Sequence, residues 1–351
     1  MKALRVTPLK AGSAGLEQVD EPPESDGEVL VETVAIGICG TDADIVAGLY
    51  GWAPPGRDRL VLGHESLGRV LEAPAGSGVE KGDLVVGIVR RPDPVPCINC
   101  AVDEWDFCRN GRYTERGIKE HDGYCSERYR ITPEFVVKID PGLDMRGVLL
   151  EPTTVVAKAW EQVDRIGGRA KWEPHRAIVT GAGPVGLLAA MIARQRGMDT
   201  TVIDVVTDGP KPELVEALGA TYHKGTIESV GDAPDVVIEC TGVDSLVFDA
   251  MEHLGPNGVL CLTGISSGGR SIGIDAGLLN KTMVLENETV VGSVNANRRH
   301  YEAGAAALAK ADPGWLDRVI SRRVPLDDWQ QALDRSPNDV KVVIELAPEA
   351  A

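Results

Sequence analysis

The stretch RAIVTGAGPVGLLAAMIARQRG, Arg176 to Gly197, decides how the second half of this chain folds. A short apolar run, Ala177-Ile178-Val179, enters Gly181-Ala182-Gly183-Pro184-Val185-Gly186 and then a segment with helical spacing of Leu, Ala, Met and Ile. Three glycines alone often mark only a loop. Between a strand and a helix the same pattern becomes a phosphate cradle. The first Gly permits a tight turn, the second lets backbone approach a pyrophosphate, and the third lets helix pack on strand. The helix N-terminus adds free N–H groups and a dipole that favours an anion.

Reading outward, the next apolar run, Thr200-Thr201-Val202-Ile203, ends at Asp204, which is 204 − 181 = 23 residues after Gly181. A carboxylate there suits ribose hydroxyls and repels a 2′-phosphate. Val205, Val206, Thr207 and Asp208 offer no cation to hold that phosphate. NAD is therefore expected over NADP. Two further runs, DVVIECTG and GVLCLTGI, are short, β-branched and almost wholly apolar. Strands covered on both faces by helices read this way, so a doubly wound parallel sheet is expected.

Upstream the pattern differs. ALRVTPL, EVLVETVAIGI, GRVLEA, GDLVVGIV and CSERYRITPEFVVKI alternate, and Gly/Pro clusters such as WAPPG and EAPAGSG punctuate them. That is a β-rich domain with long loops. Helical spacing begins near Leu149, in LLEPTTVVAKAWEQV, and the C-terminal part closes with an Ala-rich helix and the strand VKVVIEL.

Composition bounds the function. At 351 residues two domains are expected. A formal charge of −17 speaks against nucleic acid, which demands a basic face. No run of about 18 apolar residues and no N-terminal apolar region occur, so a membrane span is not expected and a cytoplasmic location is. Seven cysteines without a leader pattern make a disulfide framework a poor explanation, and leave metal binding or burial.

Cys39, in VAIGICGTDADIV, could be packing or a ligand. His64-Glu65 lies between glycines in LVLGHESLGRVLEA, and Glu151 precedes Pro152 at a helix start, where an acid also favours the helix dipole. Thiolate, imidazole and carboxylate together are the ligand types of a catalytic zinc with one open position. Such a zinc lowers the pKa of a substrate hydroxyl, while a nicotinamide accepts hydride. Cys97, Cys100 and Cys108, in CINCAVDEWDFC, form a second cluster, and Cys-x-x-Cys in a reducing compartment points to structural zinc. Cys125, Cys240 and Cys261 sit in apolar runs and are expected in the core. His121, His175, His253 and His300 are expected at the surface.

The order GICGTD, GHES, GDLVV, GAGPVG resembles the zinc-dependent medium-chain dehydrogenase/reductase family, and the likeness covers nearly the whole chain. VRRP, CINCAVDEWDFC, ERGI, HDGY and DAGLLNKTMVLENETVVGSVN are similar to the glucose 1-dehydrogenase branch known from archaea, its halophilic members included. The resemblance implies a GroES-like catalytic domain over residues 1–156 and a Rossmann domain over 157–296. Residues 297–351 would return to the catalytic domain, and the active site would lie in the cleft.

It also implies roles. Cys39 and His64 match zinc ligands, Glu65 a carboxylate that binds directly or through water, and Glu151 a further ligand. Thr41 matches the hydroxyl that bridges the substrate oxygen and the nicotinamide ribose. Glu115 matches an acid that contacts sugar hydroxyls, with Glu151 and Asn295 contributing; on its residues alone Glu115 reads as an exposed loop acid. The cofactor set adds Thr241, Gly264 and Asn295 to Gly181, Gly183, Pro184, Val185, Gly186 and Asp204. The family's structural lobe has four cysteines, and Pro94 stands at the first position here. Asp93, Asp103 or Asp106 could complete the site, or the lobe could hold no metal.

The expected activity is oxidation of the C1 hydroxyl of glucose or a related aldose to the lactone, by a homodimer or homotetramer. Val89 is apolar where some relatives carry an amide that touches the sugar. A polyol, cyclitol or aminocyclitol dehydrogenase is the alternative. A zinc-free quinone or enoyl reductase, or a non-catalytic relative, fits less well, since neither needs Cys39, His64 and Glu151 together.

Overall fold

The structure is a computed structural model that describes residues 1–266, 268 and 271–347. It forms two compact units. One takes in Met1–Glu151 with the described residues from Ala296 onward, the other Pro152–Asn295. The boundary falls inside the helix Leu150–Gly167.

The second unit holds six parallel strands in the order Thr221–His223, Asp199–Ile203, Arg176–Thr180, Val236–Glu239, Val259–Leu262, Thr289–Gly292. Numbered along this unit the order is 3-2-1-4-5-6, the doubly wound arrangement anticipated from the apolar runs. Register puts Thr180 opposite both Ile203 and Glu239, so the crevice at the order reversal opens beside Thr180. Ile178, Ile203, Val237, Ala250, Leu254 and Leu260 make one buried cluster. Each Ile, Leu or Val side chain of the cluster contributes about 1.5–3 kcal/mol when taken from water.

In the first unit a seven-stranded sheet runs Val136–Lys138, Leu84–Gly87, Glu65–Glu72, Val29–Ile38, Lys341–Glu345, Ile320–Pro325, with Arg128–Ile131 also on Val29–Ile38. The closing strand Lys341–Glu345 lies antiparallel beside Val29–Ile38. Two small sheets flank it, one joining Gly15–Gln18, Lys2–Val6 and Leu60–Val61, the other Arg90–Arg91, Thr114–Arg116 and Glu120–His121. The long strand Val29–Ile38 places Gly37 opposite Glu65 on one side and Val343 on the other.

Cys125 and Cys261 are core residues as expected, whereas Cys240 is only half-buried. His300 departs from expectation. It is buried, and its Nδ1 accepts the Asn297 N–H at 2.9 Å as part of the capping box that starts the helix Arg298–Lys310. Among the described residues no helix is long and apolar enough to cross a membrane.

Candidate active site

Strand Val29–Ile38 ends at Cys39, whose extended backbone (φ −124°, ψ −177°) makes it the N-cap of helix Gly40–Val46. Its Sγ accepts the Thr41 N–H at 3.3 Å, and its own N–H donates to Asp42 Oδ2 at 3.0 Å. This reciprocal cap fixes the thiol, and it sets Thr41 in the first helical turn beside it. His64 Nε2 lies 3.1 Å from Cys39 Sγ, and His64 Nδ1 lies 3.3 Å from Asp42 Oδ1. Burial would lower the His64 pKa, but the charges of Cys39 and Asp42 outweigh it and raise the imidazole well above its ordinary range. Burial likewise pushes Asp42 up, and His64 more than compensates, so that carboxyl is held low.

Glu65 opens the next strand. Its carboxylate, Cys39 Sγ and a His64 ring nitrogen all lie within 4.8 Å of one another. Both Glu65 oxygens also meet buried Lys341 Nζ, at 2.7 and 2.6 Å. At the start of helix Leu150–Gly167, burial drives the Glu151 carboxyl up to about 7; His64 opposes the shift and Glu65 adds to it. Soft thiolate, imidazole and carboxylate gathered within 4.8 Å suit a dication, whose charge would also favour the ionised form of Glu151, which lies outside that tight group.

Cys97, Cys100 and Cys108 also converge within 4.8 Å. Cys97 Sγ accepts the Arg109 N–H at 3.4 Å and stands 3.6 Å from Cys100 Sγ. The Arg109 amide, with that of Cys100, lowers the Cys97 pKa to about 6, while burial raises Cys100 to about 11. Of the three candidate acids, Asp106 accepts Asn297 Nδ2–H at 3.0 Å and Asp103 is exposed in a left-handed turn (φ 60°). Asp93 is buried. Its Oδ1 accepts the Val95 N–H at 2.8 Å, and its Oδ2 has no hydrogen-bond partner among the described residues. That carboxylate stands outside the tight group made by the three sulfurs.

Glu115 is not an exposed loop acid. It lies on the strand Thr114–Arg116, buried, and its Oε1 accepts from Arg90 Nη2 at 2.9 Å and Nε at 3.1 Å. The Arg90 guanidinium sits 3.7 Å from the Tyr113 ring centroid.

In the second unit the three loop glycines have three different surroundings. Gly181 has φ +87°; a Cβ on Gly186 would lie 1.8 Å from Gly181 O; a Cβ on Gly183, the N-cap of helix Pro184–Gln195, would meet open space. Pro184 and Val185 form that helix's first turn. Asp204 Oδ2 accepts the Ala182 N–H at 2.6 Å, and Oδ1 accepts from Val205 and Val206 at 2.7 and 3.1 Å. A cation is close after all: Lys211 Nζ is 3.7 Å from Asp204 Oδ2. Beyond the crevice, buried Glu239 accepts from Thr180 Oγ1 at 3.0 Å and from the N–H groups of Thr241 and Gly242 at 2.7 and 3.1 Å. Gly264 is tied to the same acid, since a Cβ there would fall 2.6 Å from Glu239 Oε2 and 2.1 Å from Gly242 N. Asn295 takes a left-handed conformation (φ 62°).

Asp42, Lys341, Arg90 and Glu239 escaped the reading of the sequence. Only Asp42 left a local signal, an acid three residues after an N-cap.

Residues 25–141 match the Alcohol dehydrogenase GroES-like domain, and residues 144–346 match the Glucose dehydrogenase C-terminus. The chain is 39% identical to a glucose 1-dehydrogenase of Methanocella arvoryzae over 99% of each chain. It is 40% identical to one of Thermoproteus tenax, again over 99% of each. A solved structure of Haloferax mediterranei glucose dehydrogenase in complex with NADP, Zn and gluconolactone superposes with a TM-score of 0.92 at 31% identity, covering 99% of this chain and 100% of that one.

Proposed function

The chain belongs to the zinc-dependent medium-chain dehydrogenase/reductase family, in its glucose dehydrogenase branch, and from that premise we propose that it oxidises the C1 hydroxyl of glucose or a related aldose to the lactone. It is a zinc- and nicotinamide-dependent oxidoreductase acting on a sugar CH–OH group. The convergence of half-buried Cys39 with buried His64 and Glu65 within 4.8 Å carries the reading, because a thiolate–imidazole–carboxylate set is the donor set of a catalytic zinc.

Bound zinc lowers the pKa of the substrate hydroxyl, and bound nicotinamide accepts the hydride. Cys39, His64 and Glu151 would hold the metal, with Glu65 binding directly or through water. Asp42 fixes the His64 ring from behind, as outer-shell carboxylates do. Thr41, in the first helical turn beside Cys39, would accept the proton of the substrate hydroxyl and relay it onward. Glu115, held in place by Arg90, would accept hydrogen bonds from sugar hydroxyls, with Glu151 and Asn295 contributing further polar groups. Such groups select strongly for an OH, because an analogue lacking it leaves buried polar atoms unpaired.

The Gly181–Gly186 turn, Thr241 and Gly264 would bind the dinucleotide, with Asp204 at the adenosine ribose. NAD is preferred, since a 2′-phosphate would meet the Asp204 carboxylate; Lys211 offsets part of that repulsion, so NADP is used poorly rather than rejected. A second zinc would sit on Cys97, Cys100 and Cys108, with Asp93 the acid that has an oxygen to spare.

Assembly into a homodimer or homotetramer is supported by the edge strand Thr289–Gly292 and the helix Ala276–Glu286, which buries no residue and exposes Leu278, Val284 and Leu285. A cytoplasmic location is in keeping with seven free thiols.

The test is a panel of aldoses, polyols and cyclitols with NAD and NADP, followed at NADH or NADPH absorbance, with and without a chelator. Aldose oxidation lost on chelation is the expected result. Faster turnover of a cyclitol or polyol than of any aldose would move the assignment to that class.

A further inference from the structure

Aromatic residues make up only 4% of this chain, yet two stand open side by side. Tyr50 is 42% exposed and Trp52 43%, and their rings meet edge to face with centroids 5.0 Å apart. The loop that carries them is firmly held. Gly48 and Leu49 donate N–H bonds back to Ile45 O and Asp44 O, at 3.1 and 2.9 Å, in the helix that begins after Cys39. Gly51 (φ +99°) closes on that helix, where a Cβ would stand 3.1 Å from Ile45 Cγ1. Trp52 is bonded to the turn that follows Glu115: its N–H donates to Ile118 O, and its carbonyl accepts the Glu120 N–H, both at 2.9 Å.

The same turn leans on the residue before His64, for a Cβ on Gly117 would fall 2.6 Å from Gly63 O. Tyr50 and Trp52 are thus fixed between the Cys39 helix and the Glu115 strand. The phenol also senses the acid: burial first, and then the Glu115 charge, raise its pKa.

We propose that Tyr50 and Trp52 form an aromatic shelf that packs on the C–H face of a ring sugar while Glu115 takes its hydroxyls, so that the pair selects ring polyols over plain alcohols. The proposal rests on the sugar-binding role given to Glu115 above. A pyranose presents an apolar face of axial C–H groups and a polar rim, and a ring with a polar tip matches both. Sites of this kind combine an apolar wall with few convergent polar groups. Because backbone bonds already hold the loop, little ordering entropy is lost on binding.

Steady-state kinetics of the zinc-loaded enzyme on an aldohexose and on a plain secondary alcohol test this, with Tyr50→Ala, Trp52→Ala and Tyr50→Phe compared to wild type. Each Ala variant should raise KM for the sugar about five- to tenfold, leave kcat within about twofold, and leave the plain alcohol unaffected; Phe should keep most of the wild-type KM. Equal losses on both substrates, no loss on either, or a changed oligomeric state with unaltered sugar kinetics would overturn the shelf. A wild type that oxidises a cyclitol but no aldose removes the aldose assignment alone, since a cyclitol has the same C–H face and the shelf is then judged by the same ratio. A wild type active only on plain or open-chain alcohols removes both.

Discussion

Lys341 Nζ lies 2.7 and 2.6 Å from the two oxygens of Glu65, and each side chain is almost wholly buried. The ammonium also reaches Ile38 O at 3.3 Å. The C-terminal strand therefore delivers a counter-charge into the wall of the metal site. A buried pair of this kind is weak evidence of net stabilisation, yet removing one member leaves the other charge uncompensated. Lys341→Met should lower the unfolding free energy by roughly 3–5 kcal/mol, and Glu65→Gln in the same background should restore a large part of it. Urea unfolding of the four proteins of the cycle measures both. A single-variant loss under about 1 kcal/mol would contradict the pairing.

Gly37 matters for the same carboxylate. It faces Glu65 across the sheet, and a Cβ there would sit 2.1 Å from Glu65 Oε2. A free Glu side chain could swing aside, but Lys341 holds this one. Gly37→Ala is expected to cost about 1–3 kcal/mol as overpacking and to lower zinc occupancy by shifting a carboxylate of the cluster. Metal content by emission spectrometry, alongside urea unfolding, reads out both effects. Full zinc content with unchanged stability would show that the contact relaxes freely.

Asp42 stands behind His64 rather than among the ligands. Asp42→Asn keeps the shape but removes the charge that favours the ring, so zinc affinity should fall about 10- to 100-fold. Competition with a chromophoric chelator measures this, and NADH fluorescence should show cofactor binding largely unaltered. Cys39→Ala and His64→Ala, which remove ligands outright, should abolish turnover with the same retained NADH binding. An Asn variant with wild-type zinc affinity would remove Asp42 from the site.

Much of this was legible from sequence where the physics is local. A strand, three glycines and a helix define the Gly181–Gly186 turn within one short window, and four apolar runs mark the four central strands of the six-stranded parallel sheet. The capping residues of the Cys39 helix are equally local, yet it is the structure that picks out Asp42. Lys341 and Glu65 are 276 residues apart, and nothing near either announces the other. Glu115 looked like a loop acid because Arg90, which buries it, lies on a different strand. His300 looked like a surface residue because a cap formed by an imidazole leaves no common sequence signature. Lys211 escaped a window that stopped at Asp208, although the chain folds it back to 3.7 Å from Asp204.

Asp204 has two duties that substitution can separate. Its carboxylate accepts the backbone N–H groups of Ala182, Val205 and Val206, and its charge would oppose a 2′-phosphate. Asp204→Asn keeps an acceptor while deleting the charge, and Lys211 then faces the phosphate alone. The ratio of kcat/KM for NADP to that for NAD should rise about tenfold or more, chiefly through KM for NADP. Asp204→Ala should also weaken NAD, because the loop amides lose their acceptor. An unchanged ratio in the Asn variant would place cofactor choice elsewhere.

His121 gives the chain a pH dependence whose sign follows from its neighbours. Burial, reinforced by Arg116, Arg91 and Arg57, lowers its pKa to about 2. In the unfolded chain the imidazole returns to about 6.5. Below that pH the unfolded state binds a proton that the folded state refuses, so folded stability falls as the pH drops, by up to about 1 kcal/mol per unit. Above about 6.5 both states are neutral and the effect vanishes. His121→Gln removes this slope without adding charge. Urea unfolding at pH 7.5 and pH 5 (about one and one and a half units either side of the unfolded value) should show the variant losing less stability on acidification than wild type. Parallel losses in the two proteins would mean that His121 takes up its proton in the folded state, with the three guanidiniums too well screened to prevent it.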